Sequence, residues 1–376
     1  MKKTLLSLFI ILYMLFSNIA TCFSETLPSA DTSNINLQAE TAILMDATTG
    51  EVLYEKDADK VEYPASITKL MTVLLVMEYG KLDEVITFSD TAIFGIERNS
   101  SHIALDVGEQ ITIEQALYAM ILVSANEACL GVAEHIAGST ENFAKLMTER
   151  AKELGCTNTN FVNPNGLHDD NHYTTARDMA IITRELLKYD KFREIAATTY
   201  YELPPTNLQP ETRYLYADHK MIRSGNGFYY EGCEGGKTGF TNEALNTLVT
   251  FAKRGDTELI AVTLRDTGSN TYKDTIQLFD FGFENYKTMK IFDAESFSAT
   301  LPVNETYKDM VNPLGDVSVT GNEDVYATVT KDTTVEMLST TTNLPESISP
   351  PVDTTTSVGT ASICLNGNVL KEVPLY

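Results

Sequence analysis

Ser66 and Lys69 are the first residues in the chain whose types and spacing could carry out chemistry. They stand at i and i+3 in the segment PASITKLMTVLLVMEYG, residues 64–80, and residues with this spacing lie on the same side of a helix. A serine hydroxyl becomes a good nucleophile when a base takes its proton. A lysine amine is such a base when it is neutral, so the pair predicts an activated nucleophile. The alternative is a helix-capping serine followed by a lysine that reaches solvent.

The segment that carries this pair is predicted to be a core helix. Its apolar residues recur with the periodicity of one buried helix face, namely Leu70, Val73, Leu74 and Met77. Pro64 and Ser66 mark a helix start. The pair would then lie near the N-terminal end, where unpaired backbone N–H groups make the local field positive.

Two further motifs follow in the chain. Ser124-Ala125-Asn126 interrupts a helical pattern, and Lys237-Thr238-Gly239 stands just ahead of two strand patterns. Taken singly, the first could cap a helix and the second could be a turn that enters a strand. Together with S-x-x-K, and in this order, they are typical of class A β-lactamases and penicillin-binding proteins.

The chain resembles the low-molecular-mass penicillin-binding proteins that act as D-alanyl-D-alanine carboxypeptidases. The resemblance rests on PASITKLMT, FVNPNGLHDDNHYTTARDMA, Y-x-G-x-x-G-x-K-T-G-F-T and the tail SPPVDTTTSVGTASICLNGNVLKEVPL, and it covers residues 37–376. It implies removal of the terminal D-alanine from peptidoglycan pentapeptide through an acyl-enzyme, inhibition by β-lactams, and no cofactor. The implied role is in peptidoglycan synthesis and cell shape.

The resemblance implies catalytic roles for three side chains. Ser66 would be the acyl-ester nucleophile, Lys69 the general base, and Ser124 the relay that passes a proton to the leaving D-alanine nitrogen. Lys237 would be a second cation that, together with burial, keeps Lys69 neutral.

The resemblance also implies the substrate-binding residues, which are Asn126, Lys237, Thr238, Gly239 and Phe240. Asn126 would hold the peptide backbone, and Lys237 and Thr238 would receive the terminal carboxylate. The backbone N–H groups of Phe240 and of the nucleophile would form the oxyanion hole.

Two positions depart from the family pattern. Glu127 stands where an aspartate is common, and we expect this change to be tolerated. Thr271 stands where an arginine is expected just ahead of an aromatic residue. A carboxylate-binding arginine is therefore missing or replaced, and Arg265 is the candidate replacement.

A metal site is not predicted. His168 and His172 in HDDNH could suggest one, but the segment lacks H-E-x-x-H, and a structural or solvated pair is favoured. The cysteines form no C-x-x-C pair, and they are Cys22, Cys129, Cys156, Cys233 and Cys364. The last four could form disulfides, although free thiols are favoured. Cys233, close to Lys237, is either reactive or, more commonly for such a thiol, packed.

The N-terminal segment predicts export. Two lysines precede an apolar run from Leu5 to Phe16, which is the layout of a secretory signal peptide over residues 1–24. Lipid attachment at Cys22 is an alternative, although Thr21 is large for the preceding position. We expect the mature chain at the extracellular or cell-envelope face of the cytoplasmic membrane, either released or held by an uncleaved signal.

Composition bounds the architecture and the partners. The net charge is −24, which repels nucleic acid and anionic membrane surfaces, so both are set aside as partners. The patterns predict an α/β or α+β core, and the resemblance implies an α+β catalytic domain over residues 25–289, with an antiparallel sheet flanked by helices as in β-lactamases and transpeptidases. Residues 290–376, rich in Thr and Val, predict a small β-rich domain that could bind a wall-associated or membrane-associated partner.

Two other functions stay open at this point. A β-lactamase would need a segment that positions a deacylating water, and no E-x-x-L-N segment lies between the second and third motifs. A non-catalytic wall-binding scaffold would use the motifs only as folding elements. All three motifs are intact, which favours the carboxypeptidase.

Overall fold

The structure is a computed structural model, and it describes residues 30–307 and 310–376. The predicted signal peptide and Cys22 lie outside these residues. Within the described part of the chain, no helix combines the length and the apolar character that crossing a membrane requires.

The described chain divides into two compact units. The larger unit comprises Ala30–Lys290 with Tyr326–Thr333, and the smaller unit comprises Ile291–Val325 with Thr334–Tyr376. The domain boundary proposed between residues 289 and 290 stays a prediction.

The strands are numbered in chain order. They are β1 Thr41–Asp46, β2 Val52–Lys56, β3 Val85–Thr87, β4 Gln110–Thr112, β5 Tyr200–Leu203, β6 Arg213–Tyr216, β7 Cys233–Thr241, β8 Leu245–Arg254, β9 Thr257–Asp266, β10 Tyr286–Phe292, β11 Ala299–Tyr307, β12 Met310–Val319, β13 Val325–Thr330, β14 Leu338–Asn343, β15 Gly359–Leu365 and β16 Asn368–Leu375.

The α-helices are numbered in the same way. They are α1 Lys69–Tyr79, α2 Asp90–Phe94, α3 Ile113–Leu122, α4 Asn126–Ala137, α5 Thr140–Glu153, α6 Ala176–Leu186, α7 Asp190–Ala197 and α8 Asn270–Asn285. Short 3-10 turns occupy Ala65–Thr68, Lys220–Ile222 and Val335–Met337.

The larger unit is built on a five-stranded antiparallel sheet in the order β2-β1-β9-β8-β7. The register places Val262 of β9 opposite Ile43 on one side and Val249 on the other, and Lys237 of β7 opposite Val249. The third motif therefore lies on an edge strand, next to the strand that supplies Thr247.

Both faces of the sheet are covered, which explains why its central strands are apolar on both sides. Ile43 belongs to the main core with helix α1, whereas its neighbour Leu44 faces Gly282 of helix α8. Side chains alternate between faces along a strand. Helix α1 is itself buried along its first eight residues, so it forms the centre of the helical layer.

The predicted α+β class is confirmed. The break predicted near Ser124 separates α3 from α4. One detail differs: the helix expected from Pro64 begins as the 3-10 turn Ala65–Thr68, and the α-helix proper starts at Lys69.

The smaller unit consists mainly of β-strands, as predicted. Strands β11 and β12 form one hairpin, and β14, β15 and β16 form a three-stranded antiparallel sheet. Isolated bridges join Val303 to Ile348 and Gly321 to Leu375, so the hairpin and the sheet are linked within the unit.

A buried carboxylate joins three segments of the larger unit. Asp46 Oδ2 accepts hydrogen bonds from the hydroxyls of Thr288 (2.6 Å) and Thr328 (2.9 Å). Its Oδ1 accepts the backbone N–H groups of Thr48 and Thr49. The residue is fully buried, so these donors would lose a charged partner without it.

We predict that Asp46→Ala lowers the free energy of unfolding by about 3 kcal/mol, because buried donors are left without their carboxylate. Urea denaturation measures this loss. Asp256→Ala, in the exposed turn between β8 and β9, is the matched control and should stay within about 0.5 kcal/mol of the parent. Equal effects in the two variants would contradict this role for Asp46.

Candidate active site

The 3-10 turn Ala65–Thr68 presents Ser66 at the mouth of helix α1. The hydroxyl of Thr247 in β8 donates to the carbonyl of Pro64 at 2.8 Å, which ties the turn to the sheet. Ala65 adopts φ 52, a left-handed conformation that costs a non-glycine residue roughly 1 kcal/mol or more. No side-chain cap hydrogen bond is made at this helix start, so Ser66 does not act as the cap that the alternative interpretation required.

The amine of Lys69 is fully buried and has three oxygen neighbours. Its Nζ lies 3.0 Å from Ser66 Oγ, 2.7 Å from Asn126 Oδ1 and 2.6 Å from the carbonyl oxygen of Asn165. A neutral amine has two hydrogens and one lone pair. The amide and backbone oxygens can only accept, so they take the two hydrogens and leave the lone pair to Ser66 Oγ.

Burial also sets the charge of this amine. It lowers the pKa of Lys69 to about 8, opposed by the nearby Cys129 and Glu127. A buried ammonium is disfavoured because it loses its hydration. Lys69 therefore does not reach solvent, and about a tenth of it is neutral at pH 7, far more than for an ordinary lysine.

Lys237 of β7 is a second buried amine close to the first. Its Nζ donates to the carbonyl of Thr238 at 2.8 Å. Burial and the charge of Lys69 lower the pKa of Lys237 to about 7. Repulsion between two ammonium groups is mutual, so a charge on Lys237 disfavours a charge on Lys69.

Ser124 lies at the break between α3 and α4 in a strained conformation. It adopts φ 61 and is 5% exposed. Its Oγ has no hydrogen-bond partner among the residues that the structure describes. A buried hydroxyl without a partner costs free energy, and such features concentrate at functional sites. Asn126 follows, with its backbone N–H donated to the Ser101 carbonyl.

Gly239 allows β7 to approach the nucleophile closely. A Cβ at this position would lie 2.3 Å from Thr247 Oγ1, 2.9 Å from the backbone nitrogen of Ser66 and 3.0 Å from the Pro64 carbonyl oxygen. Glycine is therefore required where the strand passes the turn. The next residue, Phe240, is 60% exposed.

A cavity of about 630 Å³ opens beside these groups, a size common for ligand sites. Six of the predicted site residues line it, which are Ser66, Ser124, Asn126, Thr238, Gly239 and Phe240. Lys69 and Lys237 are buried and are not among its lining residues. The lining includes three carboxylates, Glu97, Asp218 and Glu243, and neither lysine nor arginine.

The loop before helix α6 contributes a part of the site that the sequence did not assign. It supplies the Asn165 carbonyl, and Gly166 adopts φ +84 where a Cβ would lie 1.9 Å from the Ala65 carbonyl oxygen. The Asn-Gly pair at 165–166 was a signal for a special backbone conformation. Nothing in the sequence indicated which residues it would meet.

His172 fixes this loop against the turn. Its Nδ1 accepts the N–H of Val162 at 3.1 Å, and its Nε2 lies 2.7 Å from Thr68 Oγ1. Burial lowers the pKa of His172 to about 3, so the ring is neutral and its Nε2–H donates to Thr68. Both ring nitrogens thus have protein partners. His168 lines the cavity and has Asp170 nearby.

Thr271, which departs from the family pattern, and Arg265, the candidate replacement for the missing arginine, both form hydrogen bonds with other protein groups. Thr271 is buried, with its hydroxyl 2.8 Å from that of Thr263. Arg265 donates to Glu40 and to the Glu243 carbonyl, and it is not among the residues that line the cavity. Arg265 is therefore not placed to replace the expected carboxylate-binding arginine.

Two further residues discussed from the sequence, Glu127 and Cys233, are both largely shielded from solvent. Glu127 is buried, and its Oε1 accepts the N–H of Ile103 at 2.7 Å, which holds the chain ahead of α3. Burial raises the pKa of the Cys233 thiol to about 12, so it is a packed thiol. Within the described chain the free cysteines are Cys129, Cys156, Cys233 and Cys364.

Comparison with protein families gives two matches. Residues 27–268 match the family described as D-alanyl-D-alanine carboxypeptidase. Residues 286–376 match the C-terminal domain of penicillin-binding protein 5.

Individual relatives cover most of the chain. The D-alanyl-D-alanine carboxypeptidase DacF of Bacillus subtilis is 32% identical over 99% of this chain and 93% of its own length. The D-alanyl-D-alanine carboxypeptidase DacC of Escherichia coli is 30% identical over 90% of this chain and 83% of its own. The crystal structure of penicillin-binding protein 5 from Haemophilus influenzae superimposes with a TM-score of 0.77 and 25% identity, covering 90% of this chain and 96% of that one.

We predict that Gly239→Ala slows covalent labelling by a fluorescent penicillin at least about tenfold. The added Cβ forces β7 away from the Ser66 turn, and such overpacking shifts the backbone. The labelling rate is the measurement. Gly227→Ala is the control, because a Cβ there meets nothing within 4 Å. An unchanged rate for Gly239→Ala would show that this close approach does not set the geometry at Ser66.

Proposed function

Because the chain belongs to the D-alanyl-D-alanine carboxypeptidase family, we propose that Ser66 is the nucleophile with which this serine-type peptidase removes the terminal D-alanine of peptidoglycan pentapeptide. One observation carries the proposal: the buried Lys69 amine has two fixed acceptors for its hydrogens and Ser66 Oγ as its third neighbour. This arrangement suits a neutral amine that accepts the hydroxyl proton.

The acylation step uses the groups that surround the cavity. Ser66 Oγ attacks the carbonyl carbon of the penultimate D-alanine while Lys69 takes the hydroxyl proton. The backbone N–H groups of Ser66 and Phe240 donate to the oxyanion, and each such donor is typically worth about 3 kcal/mol in the transition state. Lys69 then returns the proton through Ser124 to the leaving nitrogen as the C–N bond breaks, which releases D-alanine.

In deacylation, water takes the place of the nucleophile and Ser66 becomes the leaving group. A water attacks the ester carbonyl, Lys69 accepts its proton, and the proton is returned to Ser66 Oγ as the C–O bond of the ester breaks. The unpartnered Oγ of Ser124 supports the relay, because a hydroxyl without a protein partner is available to accept from Lys69 and donate to substrate.

Recognition of the free C-terminus is proposed for Thr238 and Lys237. The Thr238 hydroxyl can contact the terminal carboxylate, and Lys237 supplies a positive charge behind it. The lining of the cavity contains no arginine that could do this instead. Asn126 holds the substrate backbone through its amide, while its Oδ1 accepts from Lys69.

The cellular setting follows from the substrate. The relatives are named D-alanyl-D-alanine carboxypeptidases, and the proposed substrate, peptidoglycan, lies outside the cytoplasmic membrane. We propose export by a signal peptide at residues 1–24 with cleavage near Ser24. We also propose that the β-rich C-terminal domain binds a wall-associated or membrane-associated partner. β-Lactams would acylate Ser66 as analogues of the substrate.

Mass spectrometry of the intact protein after exposure to penicillin tests the nucleophile. We predict a single long-lived adduct on the parent and no adduct on Ser66→Ala, whose melting temperature should be nearly unchanged. Ser100→Ala, in the same cavity lining, is the control and should still be labelled. An adduct on Ser66→Ala would place the nucleophile elsewhere.

The same experiment separates the alternative functions. Rapid release of hydrolysed penicillin from the parent would indicate a β-lactamase. A parent protein that takes no label, under conditions that label a known relative, would indicate a non-catalytic scaffold.

The pH dependence of acylation tests Lys69 as the base. With its pKa lowered from 10.5 to about 8, the neutral fraction grows about tenfold per pH unit below 8 and levels off above it. We therefore predict that the acylation rate at saturating penicillin rises from pH 6 to 8 and then reaches a plateau. Lys69→Arg should be inactive throughout, because a guanidinium stays charged. A flat profile in the parent would exclude Lys69 as the proton acceptor.

A further inference from the structure

The hairpin of β5 and β6 carries three tyrosines on its solvent side. The register pairs Tyr200 with Tyr216 and Glu202 with Tyr214, so these four residues share one face. The tyrosines are 38%, 58% and 59% exposed for Tyr200, Tyr216 and Tyr214 respectively. We call Tyr200, Tyr214 and Tyr216 the tyrosine face.

The rings of the tyrosine face lie against one another. The centroids of Tyr200 and Tyr216 are 4.9 Å apart, and the rings of Tyr200 and Tyr214 are within 7° of parallel at 6.3 Å. The hydroxyl of Tyr200 donates to Glu202 Oε1 at 2.6 Å. These contacts limit the rotamers of the rings, so a ligand that stacks on them orders little that is not already ordered.

Stabilisation of the hairpin alone does not account for three exposed rings. Cross-strand aromatic pairs do stabilise hairpins, but the inner side already anchors this one. Leu203 and Leu215 are buried, and Tyr201 stacks on Tyr118 with centroids 3.9 Å apart. Exposed aromatic patches on soluble proteins commonly mark binding surfaces.

A short segment of chain links the tyrosine face to a residue that lines the cavity. Tyr216 is followed by Ala217 and then by Asp218, which lines the cavity. The N–H of Ala217 donates to the Thr199 carbonyl and that of Asp218 to the Leu122 carbonyl, so the connection is fixed. Two residues of extended chain span about 7 Å, which places the face beside the cavity entrance.

We propose that the tyrosine face binds the glycan strand to which the substrate peptide is attached, an inference that rests on the proposed function. The face of an aromatic ring is electron-rich, and a sugar ring presents polarised C–H groups that stack on such a face. The one charged member of the hairpin's outer side is Glu202. A carboxylate there disfavours a phosphate-bearing polymer or an anionic lipid surface, whereas a chain of neutral N-acetylated sugars is accepted.

Binding to the glycan would make polymeric peptidoglycan a better substrate than free pentapeptide. A peptide whose glycan rests on the hairpin reaches the cavity as an intramolecular event, which raises its effective concentration at Ser66. Affinity for the polymer and reactivity towards small acylating agents are therefore separate properties. This separation makes the proposal testable without disturbing the catalytic residues.

The test is co-sedimentation of the full-length protein with purified peptidoglycan and with chitin, an insoluble and neutral polymer of N-acetylglucosamine that carries no peptide. The double variant Tyr214→Ile/Tyr216→Ile keeps apolar, strand-favouring side chains but removes two rings. We expect its dissociation constant for both polymers to rise about tenfold, with penicillin labelling and hydrolysis of soluble pentapeptide unchanged. Tyr214→Phe/Tyr216→Phe keeps the rings and should bind within about threefold of the parent.

Tyr79→Ile is the matched control, because Tyr79 is an equally exposed tyrosine (61%) at the C-terminal end of α1. It should bind both polymers as the parent does. Undiminished binding by the isoleucine variant, equal losses in the isoleucine and phenylalanine variants, or a parent that ignores chitin would each overturn the proposal. A parent that also fails to take penicillin would instead refute the proposed function, so the two failures are distinguishable.

Discussion

A lysine amine without access to solvent is the constraint on which the rest of the active site depends. Burying an ammonium is costly unless its hydrogens find partners and its charge can be lost. Here the Asn126 side chain and the Asn165 carbonyl accept two hydrogens. With these partners fixed, the remaining direction of the amine points to Ser66 Oγ. The same burial that destabilises the charged form thus selects the neutral form that can act as a base.

Holding those partners in place requires strain and close packing elsewhere. Ala65 and Ser124 both adopt left-handed φ values, each costing about 1 to 3 kcal/mol. Gly166 and Gly239 allow two further chain segments to approach the Ser66 turn more closely than any side chain would permit. A fold tolerates this only where a large core supplies the stability. Helix α1, buried along its first eight residues, and the doubly covered sheet supply that core.

The sequence predicted the parts of the site that local patterns encode. The i, i+3 spacing of Ser66 and Lys69, the break at Ser124 and the strands after Lys237 all leave local signals, and the structure brings them to one cavity. The Asn165 carbonyl could not be predicted, because any residue can supply a backbone oxygen. Its partner lies 96 positions away in the chain, so only tertiary packing brings the two together.

Prediction of the fold from the sequence had the same limit. It succeeded where local patterns decide the structure and failed where contacts between distant segments decide it. Periodicity located the strands and helices of the larger unit, but it could not distinguish a 3-10 turn from the first turn of an α-helix at Ala65–Thr68. The turn is tied to the sheet by the hydrogen bond between Thr247 and Pro64, a contact between distant segments that local patterns do not encode. Residue type can also mislead. Arg265 was the candidate carboxylate-binding arginine, but its guanidinium donates to Glu40.

The charge of the protein limits how the substrate carboxylate can be held. A net charge of −24 repels an anionic substrate at long range, although salt screens this beyond about 8 Å. Within the cavity the lining adds Glu97, Asp218 and Glu243. The roles proposed for Thr238 and Lys237 would therefore act at short range, where low polarity strengthens each interaction. In the proposed reaction, a bound carboxylate would stabilise the ammonium form of Lys237, and the charge on Lys237 would then lower the pKa of Lys69 further.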